Sequence, residues 1–322
     1  MPLVNALNVA ALLAYAGKYA TVVIESEKQE LEVLRHFQVD TAITSSKRFP
    51  KMVIGDMLGA YTGDDDTTGN EIVFSDRELK VTVGDFKMAI DPEVLRNTFA
   101  GQDSKITDGK IPMEEAFIRY YMRQGFAQFN NGVFWKGDTT LANTTPNKAK
   151  RMMDGLEKDL LAAIAATEIV PITTAAFNSG TGWGAAYTDG NTIQGIEAVW
   201  NGLKAPYRQK KTHMYLSESV FVKLIDQYTR RQSNVDYLDS SSDTIILKNT
   251  GGKCMVHKCF WLGDSQRVIA ANDGAIIVGT DKPTFVSDLK IQERGYKALY
   301  LSKMVAGVRI IDTEAVSCNN LV

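Results

Sequence analysis

The sequence of 322 residues has few cysteines and no excess of charge of one sign. Its three cysteines are too few and too unevenly spaced for a disulfide framework, which favours a reducing compartment. Because 36 Lys and Arg residues stand against 38 Asp and Glu residues, the chain does not have the basic footprint of a dedicated DNA reader. The apolar stretch 3–20 is interrupted by polar residues and follows no positive segment, so we expect neither a signal peptide nor a membrane span.

The apolar content, at 44%, is sufficient for a packed core. Helical periodicity of apolar residues predicts helices over 112–135, from 154 to about 164, over 193–205 and over 217–228. From residue 244 to residue 316 the patterns are typical of strands. Helices in the first and middle parts and strands in the last part predict the α+β class.

Three segments need a partner surface. Residues 1–50 are predicted to be an N-terminal arm, an extended segment with short helices that lies on something else. Residues 52–90 contain β-like runs on both sides of a polar tip at 61–70, which predicts a long two-stranded hairpin with little to pack on. The helix over 112–135 has two apolar stripes and is therefore predicted to be buried on more than one face. Together they indicate a subunit that completes its packing only in an assembly.

The polar tip of the hairpin contains the strongest metal-like motif. Asp64, Asp66 and Thr68 occupy the first, third and fifth positions of a calcium-loop pattern. Ser75 stands at the twelfth position, where such a loop needs a bidentate glutamate, so the pattern favours a solvated hairpin tip. A metal-dependent enzyme that uses the Asp64–Asp66 cluster is the alternative from a different class of function.

Other candidate sites are weaker. In a strand, Cys254 points to the opposite face from His257 and Cys259, which favours buried thiols over a zinc site. The glycine loop at 180–184 departs from the dinucleotide-binding pattern. His213 has no Ser or Cys nucleophile motif to pair with. We therefore predict no catalytic residues, no metal and no cofactor.

The order of the segments resembles the major capsid proteins of tailed bacteriophages, which have the Hong Kong 97 fold. The stretch 117–139 ends in Phe134-Trp-Lys-Gly-Asp-Thr139 and resembles the spine helix of that family and the Gly-Asp turn that follows it. Residues 53–90 look like its extended E-loop. The resemblance continues at 90–96, in the helix that returns from that loop, and at 193–207 and 212–226, in the axial domain. It also covers the last strands, at 275–310.

The resemblance implies a division of the chain. The implied parts are an N-terminal arm at 1–50, an E-loop hairpin at 51–90, a peripheral domain with the spine helix at 91–153, an axial domain at 154–284 and return strands of the peripheral domain at 285–322. It also implies that subunits assemble into hexamers and pentamers, which form the icosahedral head around packaged double-stranded DNA. Such a protein is not an enzyme, and it belongs to the virion after assembly in the host bacterial cytoplasm.

The resemblance further implies partners. No long, highly charged helical segment precedes the arm, so either a separate scaffolding protein is expected or cleavage has removed such a segment. A portal, decoration proteins and non-specific contact with DNA complete the expected partners, with no membrane contact. An encapsulin-type nanocompartment shell, which has the same fold, is the alternative.

The candidate contacts between subunits lie on the hairpin and on the spine. They are Tyr61, Asp64, Asp66, Lys80, Lys87, Phe126, Phe129 and Trp135. The three aromatic residues of the spine are also expected to form its structural core. Lys80 and Lys87 are both candidates for the covalent cross-link that some capsid proteins form, and the sequence does not select between them.

Overall fold

The computed structural model describes residues 31–54, 72–90, 113–182, 186–231, 243–283, 285–286, 289–294 and 297–321. The helices are α1 (Val33–His36), α2 (Met113–Gln128), α3 (Leu156–Ala165), α4 (Thr192–Asn201), α5 (Ala205–Arg208) and α6 (Glu218–Arg231). The strands are β1 (Gln38–Asp40), β2 (Ser46–Ile54), β3 (Ile72–Lys80), β4 (Thr82–Ile90), β5 (Thr212–Ser217), β6 (Thr244–Ile246), β7 (Cys254–Cys259), β8 (Ile269–Asn272), β9 (Ile276–Gly279), β10 (Lys290–Arg294), β11 (Lys297–Ile310) and β12 (Val316–Cys318). The described chain thus mixes helices and sheets, as predicted.

The long strand β11 organises the first sheet. The strand order is β1-β9-β11-β10, and β4 also pairs with β11. Strand β1 runs parallel to β9, whereas β4, β9 and β10 are antiparallel to β11. The sequence pattern places the whole return leg of the hairpin, up to residue 90, in one excursion. The structure divides it, because β3 pairs with β2 while β4 pairs with β11.

The second sheet is buried on both faces. Its order is β12-β8-β5-β7-β6, with β5 parallel to β7 and the other pairs antiparallel. Side chains alternate along a strand, so Met214 and Leu216 of β5 face the core of α4 and α6, whereas Tyr215 faces the core of α2. We call this sheet the axial sheet after the predicted axial domain at 154–284, which contains four of its five strands but not β12. It is the layer that both main hydrophobic cores share.

Helix α2 is the long helix that the sequence predicts over 112–135. It is α-helical over Met113–Gln128 and continues as a π-helical turn over Phe129–Val133. One predicted apolar stripe is buried, with members Ile118, Met122, Phe126, Phe129 and Val133. In the other stripe, Tyr121 is buried but Tyr120 is 55% exposed. The helix is therefore only partly enclosed by its own chain.

The base of the arm packs on the chain's own core. Leu31, Val33 and Phe37 are buried in the core that surrounds α2. The expectation that the arm lies on another surface therefore does not hold for residues 31–40, and residues 1–30 lie outside the described part of the chain.

Two element boundaries differ from the prediction. Helix α4 ends at Asn201, and Pro206, which was expected to terminate it, lies in the first turn of α5, where its missing N–H costs no hydrogen bond. The strand predicted over 285–291 does not begin at Phe285. Phe285 has a φ of 62°, which is incompatible with extended backbone, and β10 begins at Lys290. Among the described helices, none is long and apolar enough to cross a membrane.

Candidate functional site

The hairpin formed by β2 and β3 is a two-stranded antiparallel ribbon. Its register runs from Ser46 opposite Lys80 to Ile54 opposite Ile72, so each strand contributes nine residues. At about 3.4 Å per residue the ribbon is roughly 30 Å long. The predicted tip, with Tyr61, Asp64, Asp66 and the calcium-like loop, lies outside the described residues.

An ion-pair cluster fastens the hairpin to the segment between β11 and β12. Lys51 Nζ of β2 donates to Asp312 Oδ1 at 2.8 Å and to Glu314 Oε2 at 3.0 Å. Lys204 Nζ donates to Glu314 Oε1 at 2.6 Å. The hydrogen bonds from Lys204 and Lys51 lower the pKa of Glu314 to about 2. All four side chains are partly exposed, so solvent screens the cluster and its contribution to stability is modest.

Arg77 of β3 makes a second, more buried anchor. It donates from its NH1 group to the carbonyl oxygen of Ile310 at 2.7 Å and forms an ion pair with Glu168. The buried carboxylate of Asp159 lies 4.0 Å from the same guanidinium, accepts a hydrogen bond from Ile310 N at 2.7 Å and pairs with Arg309 at 2.5 Å. Burial raises the pKa of Asp159 despite these partners. Strand β3, helix α3 and strand β11 are thereby joined by one polar network.

The hairpin crosses the first sheet close to two glycines, and at one of them, Gly307, the close neighbour is backbone. A Cβ atom on Gly307 of β11 would lie 2.1 Å from the carbonyl oxygen of Lys80, and one on Gly279 of β9 would lie 2.8 Å from the Leu79 side chain. Leu79 is fully buried there, in a small cluster with Ile43 and Ile277. Backbone contact at Gly307 therefore sets the point from which the hairpin leaves the body of the protein.

The two candidate contact lysines, Lys80 and Lys87, lie in different elements. Lys80 ends β3 and is 3.4 Å from Glu78, whereas Lys87 lies in β4, in the first sheet, and is 2.6 Å from Asp85. Both lysines are exposed, and exposed ion pairs of this kind are weak. Their geometry does not select one of them for a covalent role.

The three aromatic candidates of the predicted spine lie inside the chain. Phe126, Phe129 and Trp135 are at most 3% exposed. Trp135 packs on Trp261 at 5.8 Å between ring centroids, and Trp261 makes an edge contact with Phe134 at 5.1 Å. These positions have almost no surface for a neighbour, and they serve as structural core.

The Gly-Asp turn that follows the long helix is a hydrogen-bonded junction. Asp138 Oδ1 accepts from Lys158 at 2.6 Å and from Thr140, and these bonds lower the pKa of Asp138 to about 2. Asp154 accepts from the backbone and hydroxyl of Thr139 at 2.9 Å and 2.8 Å. A Cβ atom on Gly137 would lie 2.5 Å from two carbonyl oxygens. The turn therefore locks the end of the long helix against the start of α3.

All three histidines of the chain meet on one face of the axial sheet, over its interior strands β5 and β7. His213 Nδ1 lies 2.7 Å from His257 Nε2, and His213 Nε2 lies 2.8 Å from Asp273 Oδ1. His257 Nδ1 lies 3.1 Å from the hydroxyl of Thr244. The ring of His36 packs on His257 with 4.7 Å between centroids. Burial lowers the pKa of His36 to about 4 and that of His257 to about 3, so these two imidazoles are neutral near pH 7, and burial also lowers the pKa of His213.

The cysteines of β7 occupy the places that strand alternation predicts. Cys254 is buried in the core of α4 and α6, and Cys259 is buried in the core of α2. Both thiols are free, and burial raises the pKa of Cys254 to about 12. The sequence gives no sign that His36 and Glu32 approach Cys259, because more than two hundred residues separate them.

No protein-family model matches the sequence, and no curated relative matches it. Solved structures do match over most of the chain. A chain of the satellite phage P4 procapsid with its size determination protein matches with a TM-score of 0.54 and 12% identity, over 92% of this chain and 89% of that chain. A chain of the capsid of Myoviridae phage XM1 matches with a TM-score of 0.55 and 13% identity, over 90% of this chain and 91% of that chain.

A third matching structure is also a capsid chain. A chain of the capsid of an empty GTA particle matches with a TM-score of 0.51 and 10% identity, over 90% of this chain and 89% of that chain. The chain therefore has the fold of a phage capsid protein. The match runs through nearly its whole length, and the resemblance predicted from the order of segments to tailed-phage major capsid proteins is confirmed at the level of the fold.

Proposed function

We propose that this protein is the major capsid protein of a tailed bacteriophage, and that its copies form the hexamers and pentamers of an icosahedral head around packaged double-stranded DNA. The observation that supports this most is the match to capsid chains over about nine-tenths of its length. In this role the protein acts by assembling, and we assign it no catalytic residue.

In this proposal, the hairpin joins neighbouring copies of the subunit. Within the described residues, β2 and β3 form a two-stranded sheet of their own, which is fixed to the body by Leu79 near the Ser46–Lys80 end and by Lys51 partway along β2. A two-stranded ribbon is marginally stable in water when it packs on nothing. We therefore infer that its far end, including Tyr61, Asp64 and Asp66, rests on a neighbouring subunit as an E-loop does.

The remaining partners follow from the same role. A separate scaffolding protein would guide assembly, and a portal and decoration proteins would complete the head. The formal charge of -2 suits a wall that contacts DNA only non-specifically, because a strongly basic lining would hold the genome by counterion release.

Electron microscopy of the purified protein tests the proposal. We expect uniform closed shells, formed either by the protein alone or with the scaffolding protein of the same genome. Shells recovered from infected cells should contain nuclease-protected genomic DNA, whereas an encapsulin-type compartment would contain protein cargo. A 35.5 kDa monomer that never assembles, with or without scaffold, would contradict the proposal.

A further inference from the structure

Three potential metal ligands meet where the base of the arm crosses the end of strand β7. Glu32 and His36 are four residues apart on the helical turn of α1, so both side chains point to the same side of that turn. Cys259 is the last residue of β7. The carboxylate, imidazole and thiol ligand atoms all lie within 4.8 Å of one another.

These distances suit a small tetrahedral ion. Zinc lies about 2.0–2.3 Å from oxygen, nitrogen and sulfur ligands, so the ligands of a tetrahedral site are about 3.3–3.7 Å apart. The Nε2 atom of His36 lies 4.0 Å from Oε1 of Glu32. The pair from His36 and Glu32 would therefore need to approach by less than about 1 Å, and a pair at the 4.8 Å limit by about 1.1–1.5 Å, to close around an ion.

The surroundings hold the ligands in this arrangement. The backbone N–H of Phe260 donates to both carboxylate oxygens of Glu32, at 3.0 Å and 3.1 Å, and Asn130 Nδ2 lies 3.5 Å from one of them. The hydroxyl of Tyr215 donates to the carbonyl oxygen of His36 at 3.2 Å, and the ring of His257 packs against that of His36. Hydrogen bonds of this second layer orient ligands and are a regular part of metal sites.

The charges of the three ligands also favour a divalent ion. Cys259 is fully buried, and Glu32 and His36 are partly buried. A carboxylate, a thiolate and a neutral imidazole carry two negative charges, which a divalent cation neutralises, whereas a buried thiolate and carboxylate without a cation would be costly. Binding releases the thiol proton of Cys259 to solvent.

His257 and His213 do not complete the ligand set. Both ring nitrogens of His257 have partners, namely His213 and Thr244, and His213 is shared between His257 and Asp273. Three protein ligands leave one position of a tetrahedral site for water.

We propose that Glu32, His36 and Cys259 form a binding site for Zn²⁺, which fastens the base of the N-terminal arm to the end of strand β7. The mixed oxygen, nitrogen and sulfur set is typical of zinc, whereas magnesium and calcium prefer oxygen ligands only. The site is a property of the single chain and does not depend on the proposed capsid role.

Cobalt(II) provides the direct test, because it replaces zinc and reports its ligands by absorption. We expect titration of the full chain, under a reductant that contains no thiol, to give a thiolate-to-cobalt charge-transfer band at one ion per chain. Zn²⁺ should displace the cobalt and raise the melting temperature of the protein. Cys259→Ser should remove the band, and His36→Gln and Glu32→Gln should each weaken cobalt binding by more than about tenfold.

Cys254→Ser is the matched control, because it removes a buried thiol from the other face of the same strand. The band should persist in this variant. The proposal is overturned if the wild-type protein gives no band, if the band persists in Cys259→Ser, or if folded His36→Gln binds cobalt as tightly as the wild type. Should Cys259→Ser fail to fold by circular dichroism, the partly exposed His36→Gln and Glu32→Gln variants decide the question.

Discussion

The axial sheet and the hairpin are both built of strands, yet they complete their packing in different ways. The axial sheet has five strands and is covered on one face by α4 and α6 and on the other by the core of α2. The hairpin has two strands and is attached to the body by Arg77, by the Lys51 cluster and by the crossing at Gly307. The first region is stabilised within one chain. We infer that the second is stabilised in full only between chains.

The largest expected effect on the isolated subunit comes from the axial sheet. Leu216 of β5 is fully buried between strands and helices. Leu216→Ala should lower the free energy of unfolding by about 2–5 kcal/mol, because it removes buried apolar surface and leaves a cavity. Val222→Ala on the exposed side of α6 is the control and should change it by less than about 0.5 kcal/mol. Urea denaturation measures the free energy of unfolding of both variants. Equal losses in the two variants would contradict the conclusion that the axial sheet is stabilised within one chain.

A smaller effect is expected at the crossing of the hairpin. In Gly307→Ala the new methyl group would meet the carbonyl oxygen of Lys80, so the hairpin must move and the free energy of unfolding should fall by about 1–3 kcal/mol. Hydrogen exchange should increase first in the amides of β2 and β3. Gly132→Ala is the control, since its Cβ would meet nothing within 4 Å. Unchanged exchange in the hairpin strands would show that this contact does not position them.

The Lys51 cluster should make a still smaller, pH-dependent contribution. The pKa of Glu314 is lowered from 4.5 to about 2 in the folded protein, so its contribution is fully present above about pH 4.5 and is lost as the pH falls towards about 2. Replacing both Lys51 and Lys204 by Met should reduce this part of the pH dependence of unfolding. Lys253→Met, at an exposed position, is the control. If the free energy of unfolding of the double variant depended on pH as it does in the wild type, the Lys51 cluster would be excluded as the source of that dependence.

The smallest effect on the subunit, and a large one on the assembly, is expected from the hairpin tip. Deletion of residues 61–70 should leave the unfolding of the isolated subunit nearly unchanged, because it removes none of the described contacts between the hairpin and the body. The same deletion should lower the melting temperature of assembled shells. Calorimetry of shells and of subunits separates the two outcomes, and unchanged shell melting would count against the role of the hairpin between subunits.

Local sequence patterns predicted much of the fold. The apolar stripe from Ile118 to Val133 predicted the long helix, and the periodicity at Ile193 and Ile196 predicted α4. Alternation predicted that Cys254 and Cys259 face opposite cores. These features depend on neighbours in the sequence, so their physical causes are visible there. The assignment of domains and of contacts between subunits stays a prediction.

Other features depend on partners that are distant in the sequence. The β-like pattern of residues 82–90 suits either a hairpin leg or a sheet strand, and pairing with β11 decided for the sheet. The division of the final apolar run into β11 and β12 follows from the turn at 313–315, where Asp312 accepts from the backbone of Glu314. Pattern alone does not distinguish these alternatives, because the free energy that selects between them comes from strand pairing.

By itself, the sequence determined the class of fold, the order of the segments and the near balance of charge, since periodicity and composition are local properties. Only the tertiary structure brought Glu32 and His36 to Cys259, and only it placed the hairpin across Gly307. Both are contacts between segments that the folded chain brings together. Their geometry depends on how sheets and helices pack, and no short stretch of sequence contains that information.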